Sequence, residues 1–302
     1  MISKEVIDRI IEYTSPESVK LSEPLSRYTT FKIGGPAKCL VDIGSERELT
    51  EVSGFLKKEK IPYFILGNGS NTLFSDEGFN GVVLHIGKNF SDVVVEGNII
   101  RAKAGAILVS VAGAAYKNSL TGLEFASGIP GTVGGGIVMN AGAYDGEMKF
   151  VTKAVKALSP SGETVVLEGD ELKLGYRSSV FRHSDYVVLE VIFELKPGKQ
   201  EEIKAKMDDF NKRRREKQPL DMPSAGSTFK RPEGNFAGKL IMEAGLSGFT
   251  VGGAGVSEKH CGFVVNAGGA TSKDVVTLIE EVQKRVFEVS GIRLEPEIEI
   301  VR

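Results

Sequence analysis

The chain has 302 residues, 41% of them hydrophobic and 26% charged, with a formal net charge of −2. That balance suits a folded protein of about two or three domains, so disorder does not explain its 36 glycines, and a near-neutral charge gives no general attraction to nucleic acid or anionic lipid. Cys39 and Cys261 are too far apart in sequence for a disulfide framework or a zinc spacing, and no apolar run approaches the roughly 18 residues of a membrane span.

At the N-terminus Val6, Ile7, Ile10, Ile11 and Tyr13 recur at helical spacing, and charge throughout this segment rules out a signal-peptide core, so a cytoplasmic protein is expected. Ser45 followed by Glu48 has the form of a capping box. Leu49, Val52, Phe55 and Leu56 then make one apolar face before Pro62. "YFILGNGSN" reads as a short strand running into a glycine turn, and "VVVEGNIIRAKA" as a hairpin folding at Glu96, Gly97 and Asn98. Helical spacing returns from Ala106 to Tyr116. After the glycine-rich run at 128–144, "KAVKAL", "ETVVLE" and "DYVVLEVIFEL" predict strands. "KPGKQ" near residue 197 is the expected domain boundary; Ile203, Met207, Phe210 and Arg214 then share one side of a charged helix. A later helix from Ser272 carries the stripe Val275, Ile279, Val282, Val286 and Val289.

Two stretches offer backbone to a ligand. Gly67-Asn68-Gly69-Ser70-Asn71 follows a strand and is neither a P-loop nor a GxGxxG fingerprint; it is an anion-binding turn or an ordinary tight turn. "GIPGTVGGGIVMNAGAY" carries no charge, and glycine inside an element costs about 0.5–1 kcal/mol against alanine, so close backbone approach is its expected purpose. Either a ligand or a neighbouring element approaches it.

Three further stretches carry reactive groups. "GYRSSVF" sets Arg177 where it could bind a carboxylate or phosphate bidentately, or form a surface ion pair. "PSAGSTFKRPEGNFAGKL" gathers Ser227, Lys230, Arg231 and Lys239 without a G-x-S-x-G elbow, which favours a hydroxyl acting as proton donor beside an anion over a serine nucleophile, with an ordinary capped loop as the alternative. In "RLEPEIEIV", Glu295 and Glu297 fall on one face if the strand is regular. The basic run "NKRRREK" is a solvated helix face or a pyrophosphate ligand.

In order and number, "YTTFKIGGPA", "LGNGSNTLFSD", "GIPGTVGGGIVMNAGAY", "YRSSVF", "SAGSTFKRP" and "LEPEIEI" resemble the UDP-N-acetylenolpyruvoylglucosamine reductases, flavoenzymes of bacterial peptidoglycan precursor synthesis. The resemblance implies an α+β fold: a two-subdomain FAD-binding module of the vanillyl-alcohol-oxidase type, residues 1–62 and 63–197, then a smaller α+β substrate-binding domain, 198–302. It implies non-covalent FAD held by Tyr28, Thr30, Ile33, Gly34, Gly67, Asn68, Gly69, Ser70, Asn71, Gly131, Thr132, Gly134, Gly135, Asn140, Ala141 and Gly142.

Arg177, Ser227 and Glu297 are the catalytic residues it implies. NADPH is the hydride donor and UDP-N-acetylglucosamine enolpyruvate the substrate, with Arg214, Lys217, Lys230, Arg231 and His260 as substrate ligands. The short spacing between Arg177 and Ser227 fits the branch without a tyrosine-bearing insertion. No metal, membrane or nucleic-acid partner is expected, and the protein is expected to be a monomer. The rival readings are an FAD-dependent sugar or alcohol oxidase and a non-catalytic nucleotide-binding scaffold.

Overall fold

The computed structural model describes residues 2–302, which fold as two compact units. The first is made of the chain up to Lys20, Cys39–Asn68 and Gly81–Arg214; the second of Leu21–Lys38, Gly69–Asn80 and Arg215–Arg302.

The first unit is built on a five-stranded antiparallel sheet in the order Thr164–Glu168, Thr152–Leu158, Val187–Glu194, Ile99–Lys103 and Val93–Glu96. The last two strands form the expected hairpin, with Glu96 opposite Ile99 and Gly97 at φ +62°. In a smaller sheet Tyr63–Leu66 pairs in parallel with Val82–His85, so the loop after Leu66 leaves from the carboxyl end of a parallel pair.

Helices α1 (Lys4–Tyr13), α2 (Glu46–Lys58), α3 (Leu108–Lys117), α4 (Val133–Val138) and α5 (Gln200–Lys217) complete this part of the chain. The α2 cap forms as its sequence dictates. Ser45 Oγ accepts from the Glu48 amide at 3.2 Å, while the Glu48 carboxylate accepts from Gly44 N at 2.9 Å, one residue further back than in the standard box. Ile203 on α5 is buried, and Met207 and Phe210 pack against the first core. That apolar stripe is why residues 200–214 are compact with the first unit even though the turn at 197 precedes them.

In the second unit α6 (Ala237–Glu243) and α7 (Ser272–Ser290) share a core with the antiparallel strands Thr250–Val251, Ala254–Val256 and Val264–Asn266. Thr271 and Asp274 form a reciprocal cap at the start of α7, and Gly291 at φ +71° ends it. Val275, Ile279, Val282 and Val286 of the expected stripe are buried with Leu278; Val289, in the last turn, is exposed. The terminal strand is shorter than expected. Only Glu299–Val301 pairs, in parallel with Thr72–Phe74, and Phe229 and Pro296 make a single bridge before it. Proline has no N–H to extend a ladder, so the segment is irregular at 295–297. Glu295 and Glu297 therefore do not share an environment: the first is exposed and the second is 8% exposed. No helix among the described residues is long and apolar enough to cross a membrane.

Candidate active site

In the second unit the segments carrying Ser227 and Glu297 run side by side. Lys230 N donates to Glu295 O and Glu297 N to Thr228 O, both at 2.8 Å. On its other side Thr228 N donates to Gly262 O at 2.9 Å, and the Thr228 hydroxyl accepts from Val264 N at 2.9 Å. Ser227 is half-buried, preceded by Gly226 at φ +76° and followed by this fully engaged threonine. Its backbone is fixed by neighbours, which leaves the hydroxyl without a structural task there.

The GNGSN turn reaches the same place from more than 200 positions away in sequence. Asn71 Nδ2 donates to Glu297 O at 3.1 Å, and Glu299 N to Asn71 O at 2.8 Å. Thr30 joins them: its amide donates to Gly69 O at 3.2 Å and its hydroxyl to Ser224 O at 2.6 Å. Gly69, at φ +56°, lies so close to the chain that a Cβ would fall 2.1 Å from Tyr28 O. Ile33 is buried in the second core, and a Cβ on Gly34 would meet Phe74 at 3.0 Å.

In the first unit the two glycine-rich stretches also meet. Asn68 Nδ2 donates to Pro130 O at 2.5 Å, and a Cβ on Gly67 would stand 2.4 Å from Thr132 Oγ1. Thr132 caps α4, accepting from Gly135 N at 3.3 Å. Within the run the glycines divide by purpose. Gly134 packs on Ala104, Gly136 on Leu108, and Gly128 on Asn211 and Arg214. Gly135 is exposed, its would-be Cβ having only Thr132 Oγ1 within 4 Å at 3.5 Å, which leaves open backbone beside the converged loops. Open backbone at this point suits a cofactor bound through main-chain N–H groups. Ala141 and Gly142 open a small hairpin, Gly142–Ala143 against Gly146–Glu147. Asn140 is placed differently from a cofactor ligand: it is 0% exposed and both amide protons are used within the protein.

Arg177 sits in the first unit at the tip of a two-residue turn, φ +50°, with its guanidinium 5.0 Å from the Tyr176 ring centroid. Arg214 lies against Gly128 and is largely buried; burial pulls its pKa down, and the Tyr144 phenol offsets this only in part. Arginine stays protonated, so a desolvated guanidinium without a carboxylate partner favours a bound anion. Lys217 is exposed, Lys230 pairs with Glu295 at 3.0 Å, and Arg231 stacks 4.1 Å over Phe236. The Lys230 pair is exposed enough to exchange for a phosphate.

His260 accepts from Gly262 N at its Nδ1 at 3.1 Å, and Gly262 in turn holds Thr228. Burial is the main reason its pKa is lowered. The unfolded chain therefore takes up this proton first as pH falls, so stability is expected to drop from about pH 6.5 downward through the lowered folded value. Denaturant melts across this range should show that slope in the wild type and a flatter one in His260→Gln.

Sequence reasoning missed several residues that build these surfaces. Tyr144 and Asp145 both have positive φ at the hairpin tip, and the Tyr144 ring stacks on Phe210 at 4.7 Å and 6°. The Asp145-Gly146 pair was an available turn signal, but nothing local announces the stack.

The converged glycine loops lie in the part of the chain that matches an FAD-binding family, which makes this an FAD-binding flavoprotein. A family model described as "FAD binding domain" matches residues 37–168. At 18% identity, a 4-ethylphenol oxidase from Gulosibacter chungangensis shares the fold alone, with a TM-score of 0.50 over 65% of this chain and 44% of that one. A second model, "UDP-N-acetylenolpyruvoylglucosamine reductase, C-terminal domain", matches residues 218–301.

The reductase of that name from Caldanaerobacter subterraneus subsp. tengcongensis is 51% identical, with 98% of each chain covered. The one from Clostridioides difficile is 45% identical over 100% of this chain and 99% of its own. The crystal structure of the Thermus caldophilus enzyme, 37% identical, matches with a TM-score of 0.81 over 94% of this chain and 98% of that one. The chain belongs to the UDP-N-acetylenolpyruvoylglucosamine reductase family.

Proposed function

We propose that this chain reduces UDP-N-acetylglucosamine enolpyruvate to UDP-N-acetylmuramate, using NADPH and FAD, in peptidoglycan precursor synthesis. The observation that carries the reading is the pairing of the Ser227 and Glu297 segments, with Asn71 of the glycine turn bonded to Glu297 O. Residues 1–62 and 63–197 serve as the FAD-binding subdomains and 198–302 as the substrate-binding domain; the FAD-binding and C-terminal family matches fall on either side of residue 197.

FAD fits the cradle of Gly67, Asn68, Gly131, Thr132 and Gly135 in the first unit, with Ala141 and Gly142 beside it and Gly134 packed beneath on Ala104. Tyr28, Thr30, Ile33, Gly34, Gly69, Ser70 and Asn71, all in the second unit, are the other FAD residues the family resemblance implies, and Thr30 is held there by Gly69 O and Ser224 O. When bound, FAD takes a hydride from NADPH and supplies it to the vinyl C3 of the substrate. Hydride at C3 leaves negative charge on C2 and its carboxylate. Arg177 stabilises that charge as a fixed cation and Glu297 as a hydrogen-bonded carboxyl, both preorganised before reaction. Ser227 delivers the proton to C2. A hydroxyl is a weak acid in water, but a carbanion-like carbon held in position is a strong acceptor.

Arg214 and Lys217, with Lys230, Arg231 and His260, bind the nucleotide diphosphate. A charge-assisted bond is worth about 1.5–3 kcal/mol, so Arg214→Met is expected to raise KM for the sugar nucleotide roughly 10- to 100-fold with kcat little changed. Steady-state kinetics check this; an equal fall in kcat would place Arg214 in the chemistry instead. The protein acts as a monomer in the cytoplasm.

Incubation with NADPH and the enolpyruvyl sugar nucleotide, oxygen excluded, tests the function itself. Mass spectrometry is expected to show a product two hydrogens heavier; unchanged substrate would overturn the reading.

A further inference from the structure

We infer that Asn140, seconded by Arg182, is a positioning residue that sets the direction of Arg177. This rests on Arg177 being the group that contacts the substrate.

The turn that presents Arg177 is under strain. Gly175 and Ser178 exchange backbone bonds at 3.0 and 3.2 Å, so Tyr176 and Arg177 are its two central residues, and Arg177 alone of these takes positive φ, +50°. A left-handed conformation costs a residue with a Cβ roughly 1–2 kcal/mol. Such backbone persists only where surrounding structure over-determines it.

Here the surroundings grip two carbonyls of the turn, those of Gly175 and Arg177. Asn140 Nδ2 donates to Gly175 O at 2.8 Å, and Arg182 Nη1 donates to Arg177 O at 2.5 Å. Just beyond the turn, Ser179 Oγ donates to Val138 O at 2.7 Å, tying the same segment to the end of α4.

Asn140 is itself immobilised. It is 0% exposed at φ +41°, a conformation asparagine tolerates better than most residues. Its second amide proton goes to Glu147 Oε2 at 3.0 Å, and its Oδ1 accepts from Lys149 N at 3.0 Å. With every one of these bonds made inside the first unit, the side chain is a rigid strut between the glycine-rich run and the Arg177 turn. Aspartate has the same shape but lacks the two donors, and would turn a carboxylate toward Glu147 and the Gly175 carbonyl. Among the described residues Arg182 Nε is buried without a partner, while its Nη1 makes the bond to Arg177 O.

The test uses Asn140→Gly, which keeps positive φ available and deletes the strut, and Asn140→Asp, which keeps the shape and deletes the donors. FAD content and the rate of flavin reduction by NADPH are expected to stay near wild type in both. Flavin reoxidation by the enolpyruvyl sugar nucleotide is expected to slow roughly 100-fold, the scale of a misplaced catalytic group. Calorimetric affinity for UDP-N-acetylmuramate should fall as well.

Arg177→Lys is expected to cost far less in the Asn140→Gly background than alone. Loss of FAD, equal losses in both half-reactions or additive effects of the two substitutions would overturn the inference. If the Asn140 variants do not fold, Arg182→Met carries the same expectations and the same contrary outcomes. Should Arg177→Lys alone leave reoxidation at the wild-type rate, the role of Arg177 fails, a result distinct from failure of the strut.

Discussion

Ser227→Ala is expected to leave flavin reduction by NADPH almost unchanged and to slow reoxidation by the enolpyruvyl sugar nucleotide by about 10²–10⁴-fold, the usual contribution of a placed general acid. The structure makes this substitution unusually clean. The local chain is held through Thr228, by Gly262 O, by Glu297 N and by the bond from Val264 N to its hydroxyl, so an alanine at 227 removes an oxygen and not a support. Stopped-flow absorbance at the flavin band separates the two half-reactions. Equal loss in both would remove Ser227 as the proton donor.

The second large effect concerns Gly69 in the GNGSN turn, which is bonded to Thr30. Gly69→Ala is expected to lower both the melting temperature and the retained FAD, with a stability cost of about 3 kcal/mol or more, because two penalties coincide. Positive φ already disfavours alanine, and the new Cβ would stand 2.1 Å from Tyr28 O and 2.8 Å from Thr29 Cα, contacts with backbone that cannot swing aside. Gly97→Ala is the matched control, since its φ is +62° and nothing lies within 4 Å of the added carbon. It should cost only the conformational part, about 1 kcal/mol. Denaturant melts and the flavin-to-protein absorbance ratio check both variants; similar losses in the two would show that crowding at Gly69 is unimportant.

Much of the fold was legible because its signals are local. Ser45 with Glu48 marked the start of α2, Glu96-Gly97-Asn98 the hairpin, and the apolar stripes of α5 and α7 their buried faces. What sequence could not say is where a stripe docks. Met207 and Phe210 declare an apolar side, but not that it packs with the first core while the chain beyond Arg214 joins the second unit. The C-terminal strand expected over "EIEIV" pairs with Thr72–Phe74 only from Glu299, because Glu297 N is engaged by Thr228 O on a different segment.

The segments carrying Arg177, Ser227 and Glu297 stand out through the order of motifs, whereas their support is non-local. Asn71 reaches Glu297, Thr30 reaches Ser224 and Asn140 reaches Gly175 by bonds to main-chain carbonyls, which leave no pattern in nearby residues. The glycine-rich run illustrates why two readings stood side by side. Gly134 and Gly136 are there for packing, and Gly135 leaves backbone open, within three consecutive positions.

The most direct test is a single anaerobic titration of the purified flavoprotein. NADPH should bleach the yellow flavin band, and the enolpyruvyl sugar nucleotide, added with oxygen still excluded, should restore it within seconds at one equivalent per flavin. A band that stays bleached until air is admitted would contradict the account and favour an oxidase.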